Sequence, residues 1–251
     1  MVYISRVGVQ LYTVRDACRA DFLGTLRRVA ELGYPAVEGF WSVFDEDPTA
    51  VRRTLDDLGL AMPSAHVALD ALEQRLEQAI DLWGGLGCHT LVCPWVDEPT
   101  RAGAGAWERL GDRLDAIGER LRAQGLGLAY HNHDFELAGG NDGLACILGR
   151  STPERLALEL DVFWVHHAGR DPAAYLRDKS DRVRLVHLKD GRHRPLTFTA
   201  LGEGEVDLRA CVDAALAARV EALYVEQDEA DGDPFEALRT SAATLRRLGL
   251  L

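Results

Sequence analysis

Residues 156–191, LALELDVFWVHHAGRDPAAYLRDKSDRVRLVHLKDG, contain the pattern that decides the fold. Strand-like runs at 156–163 and 183–189 stand at the two ends of this stretch. Between them, Asp171 followed by Pro172 marks the start of a helix, with an acidic N-cap before a first-turn proline. The connection is too long for a hairpin, so the two strands are expected to be parallel and joined by a crossover helix.

The same alternation of strand-like and helix-like segments continues along the whole chain. The strand-like runs are 7–13, 36–41, 62–67, 90–95, 126–133, 156–163, 183–189 and 222–227. A chain of 251 residues is close to the roughly 250 typical of an eightfold strand–helix barrel. We predict an α/β fold, a single (β/α)8 TIM-barrel domain over residues 1–251. A doubly wound open sheet is the alternative, but no G-x-G-x-x-G fingerprint follows the first strand.

Composition and charge narrow the classes of partner. The formal net charge is −12, and such a surface repels phosphate backbones and anionic lipid, so we expect neither nucleic acid nor membrane as a partner. The five cysteines are scattered and form no zinc-ribbon spacing. No signal peptide or membrane-spanning run is apparent, so a cytoplasmic location is expected. Pairing of barrels into a homo-oligomer through the outer helices is left open.

Alternating side chains of each strand divide into an outward set and an inward set. The outward set is expected to be apolar and comprises Val9, Leu11, Val92, Leu158, Leu160, Val162, Val186, Leu188, Leu223 and Val225. The inward set becomes polar toward the strand ends and comprises Gln10, Glu38, His66, Cys93, Trp95, His131, His133, Glu159, Asp161, His187, Lys189, Glu226 and Asp228. Each polar residue alone is more often a satisfied core group, but the set together predicts a site at the C-terminal mouth of the barrel.

Imidazole and carboxylate groups are the ligands that a hard or borderline divalent cation selects. We therefore expect one divalent metal ion, with Mn²⁺ first and Mg²⁺, Co²⁺ or Zn²⁺ as alternatives. Such a cation chelates neighbouring hydroxyl and carbonyl oxygens and stabilises the enediolate that forms when a proton leaves the next carbon. A small sugar or polyol is the expected substrate, with a carboxylate or histidine as the base.

Six motifs resemble one known family. They are VGVQLYTVRD at 7–16, YHNHDFEL at 130–137, LELDVFWVHHAGRDP at 158–172, VHLKDG at 186–191, LGEGEVD at 201–207 and VEQD at 225–228. In content and order they resemble the xylose isomerase-like TIM-barrel superfamily. The branch they are most similar to is the sugar phosphate isomerase/epimerase family that includes inosose dehydratases.

The resemblance implies one divalent metal, often manganese, held by residues of the later strands. Carried over by motif, the ligands are Asp161, His187 and Glu226, with Glu136 as the first ligand. His131, which stands where epimerases of the family place a glutamate, and His133 are the substitutes for Glu136. The same resemblance implies Glu226 and Glu136 as the two bases, with His131 or His133 as proton-transfer groups instead.

The substrate-binding residues expected around the metal are His66, Lys189, Glu38, Trp95 and Trp164. Trp41, Trp95 and Trp164 follow strand ends, where an indole ring can stack on the apolar face of a sugar. Each residue also has a structural alternative. Asp161 can cap the loop toward Trp164, His187 can be a core histidine, and Glu226 can form an ion pair with Lys189, whose charge can also neutralise the acidic rim.

The function expected first is a metal-dependent isomerase or epimerase that transfers a proton next to a carbonyl. A dehydratase, hydratase or lyase acting on an inosose or 3-keto-sugar is the alternative, followed by a non-catalytic sugar-binding barrel. A nuclease of the endonuclease IV type is disfavoured by the net charge. Loop 201–205 carries two glutamates, and Arg192 and Arg194 are the nearest basic residues. The substrate is therefore expected to be unphosphorylated.

Overall fold

The parallel strands expected from the sequence close into a barrel in the computed structural model, which describes residues 6–40, 46–140 and 142–251. Eight strands pair in the order β1-β10-β7-β6-β5-β4-β3-β2 around the closed barrel. They are β1 (Arg6–Gln10), β2 (Ala36–Gly39), β3 (Ala61–His66), β4 (Thr90–Cys93), β5 (Gly127–His131), β6 (Ala157–Asp161), β7 (Val183–Leu188) and β10 (Ala222–Val225). A short antiparallel hairpin, β8 (Asp190–Arg192) and β9 (Thr197–Thr199), follows β7. The predicted (β/α)8 TIM barrel is confirmed.

Helices surround the barrel and connect its strands. They are α1 (Arg15–Ala20), α2 (Phe22–Glu31), α3 (Pro48–Leu58), α4 (Leu69–Gln74), α5 (Leu76–Gly85), α6 (Glu98–Arg101), α7 (Ala106–Ala123), α8 (Gly143–Leu148), α9 (Val162–His167), α10 (Pro172–Asp178), α11 (Leu208–Ala218) and α12 (Pro234–Leu248). The acidic N-cap expected at Asp171 forms, and two further helices start in the same way: the carboxylates of Asp47, Asp171 and Asp233 accept backbone N–H groups of α3, α10 and α12. Among the described helices, none combines the length and apolar character needed to cross a bilayer.

Most strands end earlier than the sequence pattern predicts, because the chain turns into a helix or loop at the barrel mouth. A 3-10 helix, Leu11–Val14, follows β1 at once. The carboxylate of Asp161 accepts the N–H of Trp164 at 2.9 Å and starts α9 directly after β6. The side chains expected at strand ends therefore project from short turns above the barrel.

Two apolar layers support this mouth. A large cluster fills the space between barrel and helices, and a smaller cluster fills the barrel interior with Val92, Ala129, Ala157, Leu185, Ala222 and Tyr224. The side-chain directions predicted for β4 are wrong. Val92 was expected to point outward and Cys93 inward, but Val92 lies in the interior cluster and Cys93 packs in the outer one. Leu91 and Cys93 are both apolar, so the sequence alone does not distinguish the two faces of this short strand. The five cysteines are all free thiols.

Candidate active site

The polar side chains of the inward set meet at the carboxyl ends of the strands, above the interior apolar cluster. Parallel strands place their carboxyl ends on one rim of the barrel, so residues far apart in sequence become neighbours. Glu38, Glu159, Asp161, His187 and Lys189 are fully buried residues, and His66, His131 and Glu226 are at most 5% exposed. Burial of this many ionisable groups is costly unless each is paired or holds a ligand.

Four of these residues form a group suited to a metal ion, which we call the upper group. It consists of His131, Asp161, His187 and Glu226, whose ligand atoms all lie within 4.8 Å of one another. The imidazole Nδ1 of His187 lies 2.9 Å from Oε2 of Glu226. The Nε2 atom of His131 lies 3.8 Å from Oδ2 of Asp161. Three of the four ligands expected from the sequence, Asp161, His187 and Glu226, are therefore brought together.

The chemistry of the upper group fits a divalent cation. Its donors are two imidazoles and two carboxylates, a set that suits Mn²⁺, Co²⁺ or Zn²⁺. Oδ2 of Asp161 is buried and lies 3.1 Å from the ammonium Nζ of Lys189, and Nδ1 of His131 is buried 3.2 Å from Oε2 of Glu159. The fit to a cation therefore rests on the donor set, because two imidazoles and two carboxylates converge with all ligand atoms within 4.8 Å of one another.

A second group lies beside the upper one and shares two of its imidazoles. It consists of His66, His131, Glu159 and His187, again with ligand atoms within 4.8 Å of one another. Here the contacts are hydrogen bonds within the group and from the group to the neighbouring carboxylate of Glu38. Nε2 of His66 lies 2.7 Å from Oε2 of Glu159, and Nε2 of His187 lies 2.7 Å from Oε2 of Glu38. These contacts fix the orientation of the His187 ring, whose other nitrogen faces Glu226.

Glu38 lies at the bottom of this hydrogen-bond network. Its carboxylate accepts hydrogen bonds from the Gln10 amide at 2.7 Å and from the Ser64 hydroxyl at 2.5 Å. Burial raises the pKa of Glu38, but the neighbouring His66 and His187 outweigh burial and hold the pKa well below its ordinary value. Glu38 therefore positions the imidazoles of His66 and His187. It was expected from the sequence to bind substrate, but it is not among the described residues that line the cavity.

Lys189 places a positive charge between three carboxylates. Its Nζ lies 3.1 Å from Oδ2 of Asp161, 2.9 Å from Oε2 of Glu226 and 2.9 Å from Oδ1 of Asp228. Burial lowers the pKa of Lys189, but the three acids outweigh burial and raise it well above the ordinary value. The pKa of Glu226 is held well below its ordinary value, since Lys189 and His187 outweigh the effect of burial. Glu226 is therefore an ionised carboxylate at neutral pH.

The structure does not bring Glu136 into either group. Its Oε1 accepts a hydrogen bond from the Tyr130 hydroxyl at 2.6 Å, and its Oε2 accepts one from the backbone N–H of His133 at 2.9 Å. Burial raises the pKa of Glu136 to about 7. In this arrangement Glu136 fixes the turn after β5, and His131, the substitute expected from the sequence, stands beside Asp161 instead.

A cavity of about 550 Å³ opens over the upper group. The expected residues His66, His131, His133, Trp95, Trp164, Lys189 and Glu226 line it. Burial lowers the pKa of His133 to about 3, with Lys189 adding to the effect, so its imidazole is neutral. The Nδ1 atom of His133 has no hydrogen-bond partner among the residues described. Trp41, the third tryptophan expected at the mouth, lies outside the described residues.

Several residues of the site were not singled out from the sequence. Glu159 belongs to the inward set and precedes Asp161 by two positions, so the alternation of β6 carried the signal for it. Leu196 and Phe198 also line the cavity, and they come from the hairpin after β7. No strand or helix periodicity marks these two residues.

Comparison with known proteins gives the family and its relatives. The family model described as "Xylose isomerase-like TIM barrel" matches residues 26–248. An inosose dehydratase from Geobacillus kaustophilus (strain HTA426) is 27% identical over 211 residues, which cover 74% of this chain and 67% of that protein. An inosose dehydratase from Lacticaseibacillus casei is 25% identical over 150 residues, or 52% of this chain and 50% of that protein. The chain thus spans between half and two thirds of the length of these relatives.

Solved structures share the fold at lower identity. A sugar phosphate isomerase/epimerase from Parabacteroides distasonis ATCC 8503 has a TM-score of 0.84 at 21% identity, covering 96% of this chain and 93% of that one. An IOLI protein with a bound zinc atom has a TM-score of 0.78 at 15% identity, covering 97% of both chains. At these identities the similarity establishes the barrel fold. The sequence relatives are named as inosose dehydratases, and one structural neighbour is named as a sugar phosphate isomerase/epimerase.

Proposed function

The chain belongs to the xylose isomerase-like TIM-barrel family, and from this premise we propose that it is a metal-dependent dehydratase of a keto-sugar or cyclic polyol ketone. The observation that carries the proposal is the upper group of His131, Asp161, His187 and Glu226, which lies under an open cavity. Of the two glutamates that a two-base epimerase would use, Glu226 lines this cavity and Glu136 does not. The inosose dehydratases among the relatives support the same reaction class.

Glu226 is the base in this proposal. Its ionised carboxylate lines the cavity, and Lys189 and His187 hold it in place through contacts of 2.9 Å each. It takes the proton from the carbon next to the substrate carbonyl. General base catalysis by a positioned carboxylate contributes about 10² to 10⁴ in rate.

His133 is the second proton-transfer group. Its neutral imidazole lines the cavity from the loop after β5, and β5 is three strands away from β10 around the barrel. In dehydration, the bond from the next carbon to its hydroxyl breaks, and the oxygen leaves as water with a proton relayed from solvent through His133, whose imidazole takes up a proton at one nitrogen as it releases one from the other. The electron pair from the broken C–H bond forms the new double bond.

His131, Asp161, His187 and Glu226 would hold the divalent cation. When bound, the cation would supply Lewis-acid polarisation of the substrate carbonyl. Lys189 lines the cavity beside these residues, and its Nζ holds the carboxylates of Asp161 and Glu226 through contacts of 3.1 and 2.9 Å. Trp164, whose indole lies 5.4 Å from the His133 ring, provides an apolar face on which a sugar ring can stack.

Epimerisation is the second candidate. If His133 returns a proton to the same carbon on the other face, no carbon–oxygen bond breaks and the product is an epimer. Glu226 lines the cavity from the end of β10, and His133 lines it from the end of β5. This placement supports epimerisation as well as it supports dehydration. The two reactions differ in product, so the choice between them is experimental.

The backbone around the loop after β7 supports an unphosphorylated substrate. In many barrels amides of this region bind phosphate, but here four N–H groups donate to the carboxylate of Asp190. They belong to Gly191, Gly202, Gly204 and Val206, at 2.9 to 3.1 Å. The Asp190 carboxylate therefore accepts the hydrogen bonds that these amides would otherwise donate to a phosphate.

The side-chain charges around the cavity also favour an unphosphorylated substrate. Three cationic side chains occur among the described residues that line the cavity, Arg15, Lys189 and His66, and all three are engaged. Burial lowers the pKa of His66, but Glu38 and Glu159 outweigh burial and raise it to about 9, and its Nε2 lies 2.7 Å from Oε2 of Glu159. Arg15 donates to the backbone carbonyls of Tyr12 and Asp228, while Lys189 contacts three acids. A phosphate in the cavity would face Glu226, Asp228 and Glu229.

The test is to follow inososes and 3-keto-sugars by NMR in deuterated water with the metal-loaded protein. We expect loss of water, seen as a new unsaturated or diketone product, and no turnover after chelation until Mn²⁺, Co²⁺ or Zn²⁺ is restored. Solvent deuterium in an otherwise unchanged or inverted substrate would support epimerisation instead. Unchanged substrate protons across the whole series would overturn both reactions.

A further inference from the structure

We propose that the cavity has a second subsite at its rim, formed by Trp95 and Leu196, that binds an apolar or aromatic substituent attached to the sugar. The substrate class is thus a keto-glycoside with an apolar aglycone. This inference rests on the proposed function, since it places the reacting sugar at the upper group. It goes beyond that function by naming what the sugar carries.

Trp95 and Leu196 are unusual in their exposure. Across residues 6–40, 46–140 and 142–251, they are the exposed large hydrophobic side chains, at 50% and 46%. Both line the same cavity, although they lie about a hundred positions apart in sequence. Single exposed apolar residues need no explanation, but two that meet at one cavity mark a binding surface.

The exposure of Trp95 is imposed by its neighbours. Pro94 and Val96, on either side of it, are both buried, so the backbone is fixed and the indole is turned outward. A tryptophan packed in the core would not remain half exposed. The backbone of Trp95 is therefore in place at the rim before any ligand arrives, so binding requires no main-chain rearrangement there.

Leu196 is placed by the β8–β9 hairpin. The hairpin is tied to the barrel, since Asp190 at its base accepts four backbone N–H groups and the Gln227 amide donates to the Phe198 carbonyl at 3.4 Å. Phe198 lines the cavity next to Leu196 and lies 5.7 Å from the Trp164 ring. The apolar rim therefore continues inward to the indole on which the sugar is proposed to stack.

The residues around the rim favour a neutral apolar substituent. A leucine side chain offers no hydrogen bond to hydroxyl groups, so a second sugar ring would gain less at Leu196 than an apolar group does. An anionic substituent would face the acidic residues Asp228 and Glu229, which line the same cavity. A neutral apolar or aromatic group satisfies both conditions. The cavity of about 550 Å³ lies within the range of roughly 300 to 1,000 Å³ that holds drug-sized ligands.

Equilibrium binding tests this without turnover. The metal-loaded protein is titrated by calorimetry with phenyl glucosides of both anomeric configurations, with the matching methyl glucosides and with a disaccharide. We expect at least one phenyl glucoside to bind about ten-fold more tightly than its methyl counterpart, a ratio equal to about 1.4 kcal/mol. The disaccharide should gain no such advantage.

Substitutions at Trp95 and Leu196 test whether these residues cause the preference for phenyl over methyl glucosides. Trp95→Ala and Leu196→Ala should each reduce the phenyl-to-methyl ratio toward one, and Trp95→Phe should retain most of it. Leu216→Ala, at a half-buried leucine of α11 outside the cavity, is the matched control and should keep the full ratio. Thermal unfolding checks that each variant is folded.

Equal binding of phenyl and methyl glucosides, or a disaccharide that binds as tightly as the phenyl glucoside, would overturn the subsite and leave the proposed function standing. A concentration-dependent dimer that disappears in Trp95→Ala would also overturn it, because the rim would then be a contact between copies of the chain. Absence of binding by every glycoside, together with absence of keto-sugar turnover, would count against the proposed function itself.

Discussion

Nδ1 of His187 lies 2.9 Å from Oε2 of Glu226, while Nε2 of the same ring lies 2.7 Å from Oε2 of Glu38. Glu226 faces the cavity, whereas Glu38 is buried beneath it. The imidazole therefore connects the reactive carboxylate to a fixed support of Gln10 and Ser64. Such support is what holds a catalytic group within a fraction of an ångström of its productive position.

Glu226→Gln should abolish the base while keeping the side-chain volume. We expect kcat to fall by about 10³ or more, in line with loss of a positioned base and a metal ligand. The temperature of unfolding should change little, since Lys189 keeps Asp161 and Asp228 as partners. Turnover and thermal unfolding are measured on the same preparation. Wild-type turnover in the variant would remove Glu226 from the mechanism.

Matched sugars with and without a phosphate ester should differ in turnover. We expect kcat/KM to be at least ten-fold higher for the unphosphorylated member, because the amides of loop 201–205 and its neighbours already bind Asp190. Steady-state kinetics on each pair measures the ratio. A strong preference for the phosphate ester would show that the proposed substrate class is wrong.

Asp190→Asn should destabilise the protein. Each carboxylate oxygen of Asp190 accepts two backbone N–H groups, so an amide in either orientation turns its NH₂ toward two donors. The expected loss is about 2 to 3 kcal/mol of unfolding free energy, typical of buried donors left unpaired.

Asp207→Asn is the matched control for Asp190. Asp207 is the N-cap of α11 and accepts the N–H of Ala210 at 3.0 Å. Asparagine caps helices about as well as aspartate, so the unfolding free energy should be nearly unchanged. Denaturant unfolding compares the two variants, and equal losses would mean that the amide cluster around Asp190 has no special role.

The stability of the metal-free protein should depend on the ionisation of Glu136. Burial raises the pKa of Glu136 from 4.5 to about 7. A carboxyl with a raised folded-state pKa stabilises the fold below its unfolded value, and that contribution is lost as the pH rises through about 7. The free energy of unfolding of wild type, relative to Glu136→Gln, should therefore be larger at pH 5 than at pH 8. A difference that does not vary with pH would contradict the assigned pKa.

The sequence was sufficient for the barrel, because alternation within each strand and helix starts such as Asp171-Pro172 are local signals. It was insufficient for the facing of β4, where Leu91, Val92 and Cys93 are all apolar. A strand whose last three residues are all apolar fits the barrel with either face inward until its neighbours fix the register, as Ala129 opposite Val92 does here.

The site was predictable in part for a related reason. Asp161, His187 and Glu226 end parallel strands, so their meeting follows from topology. Glu136 lies five residues beyond the end of β5, and the turn between them decides where its carboxylate points. That turn is closed by the bonds of Glu136 to Tyr130 and to the His133 N–H, which no spacing rule reveals. The rim residue Leu196 is placed by a hairpin outside the repeating pattern.

The measurement that tests the account most directly is metal content by elemental analysis after loading with Mn²⁺, Co²⁺ or Zn²⁺ and removal of free ion. Wild type should hold about one ion per chain, Asp161→Asn, His187→Ala and His131→Ala should each hold much less, and Glu136→Gln should remain loaded. Full occupancy in the Asp161 and His187 variants, or loss of the ion in Glu136→Gln with His131→Ala still loaded, would contradict the upper group as the metal site.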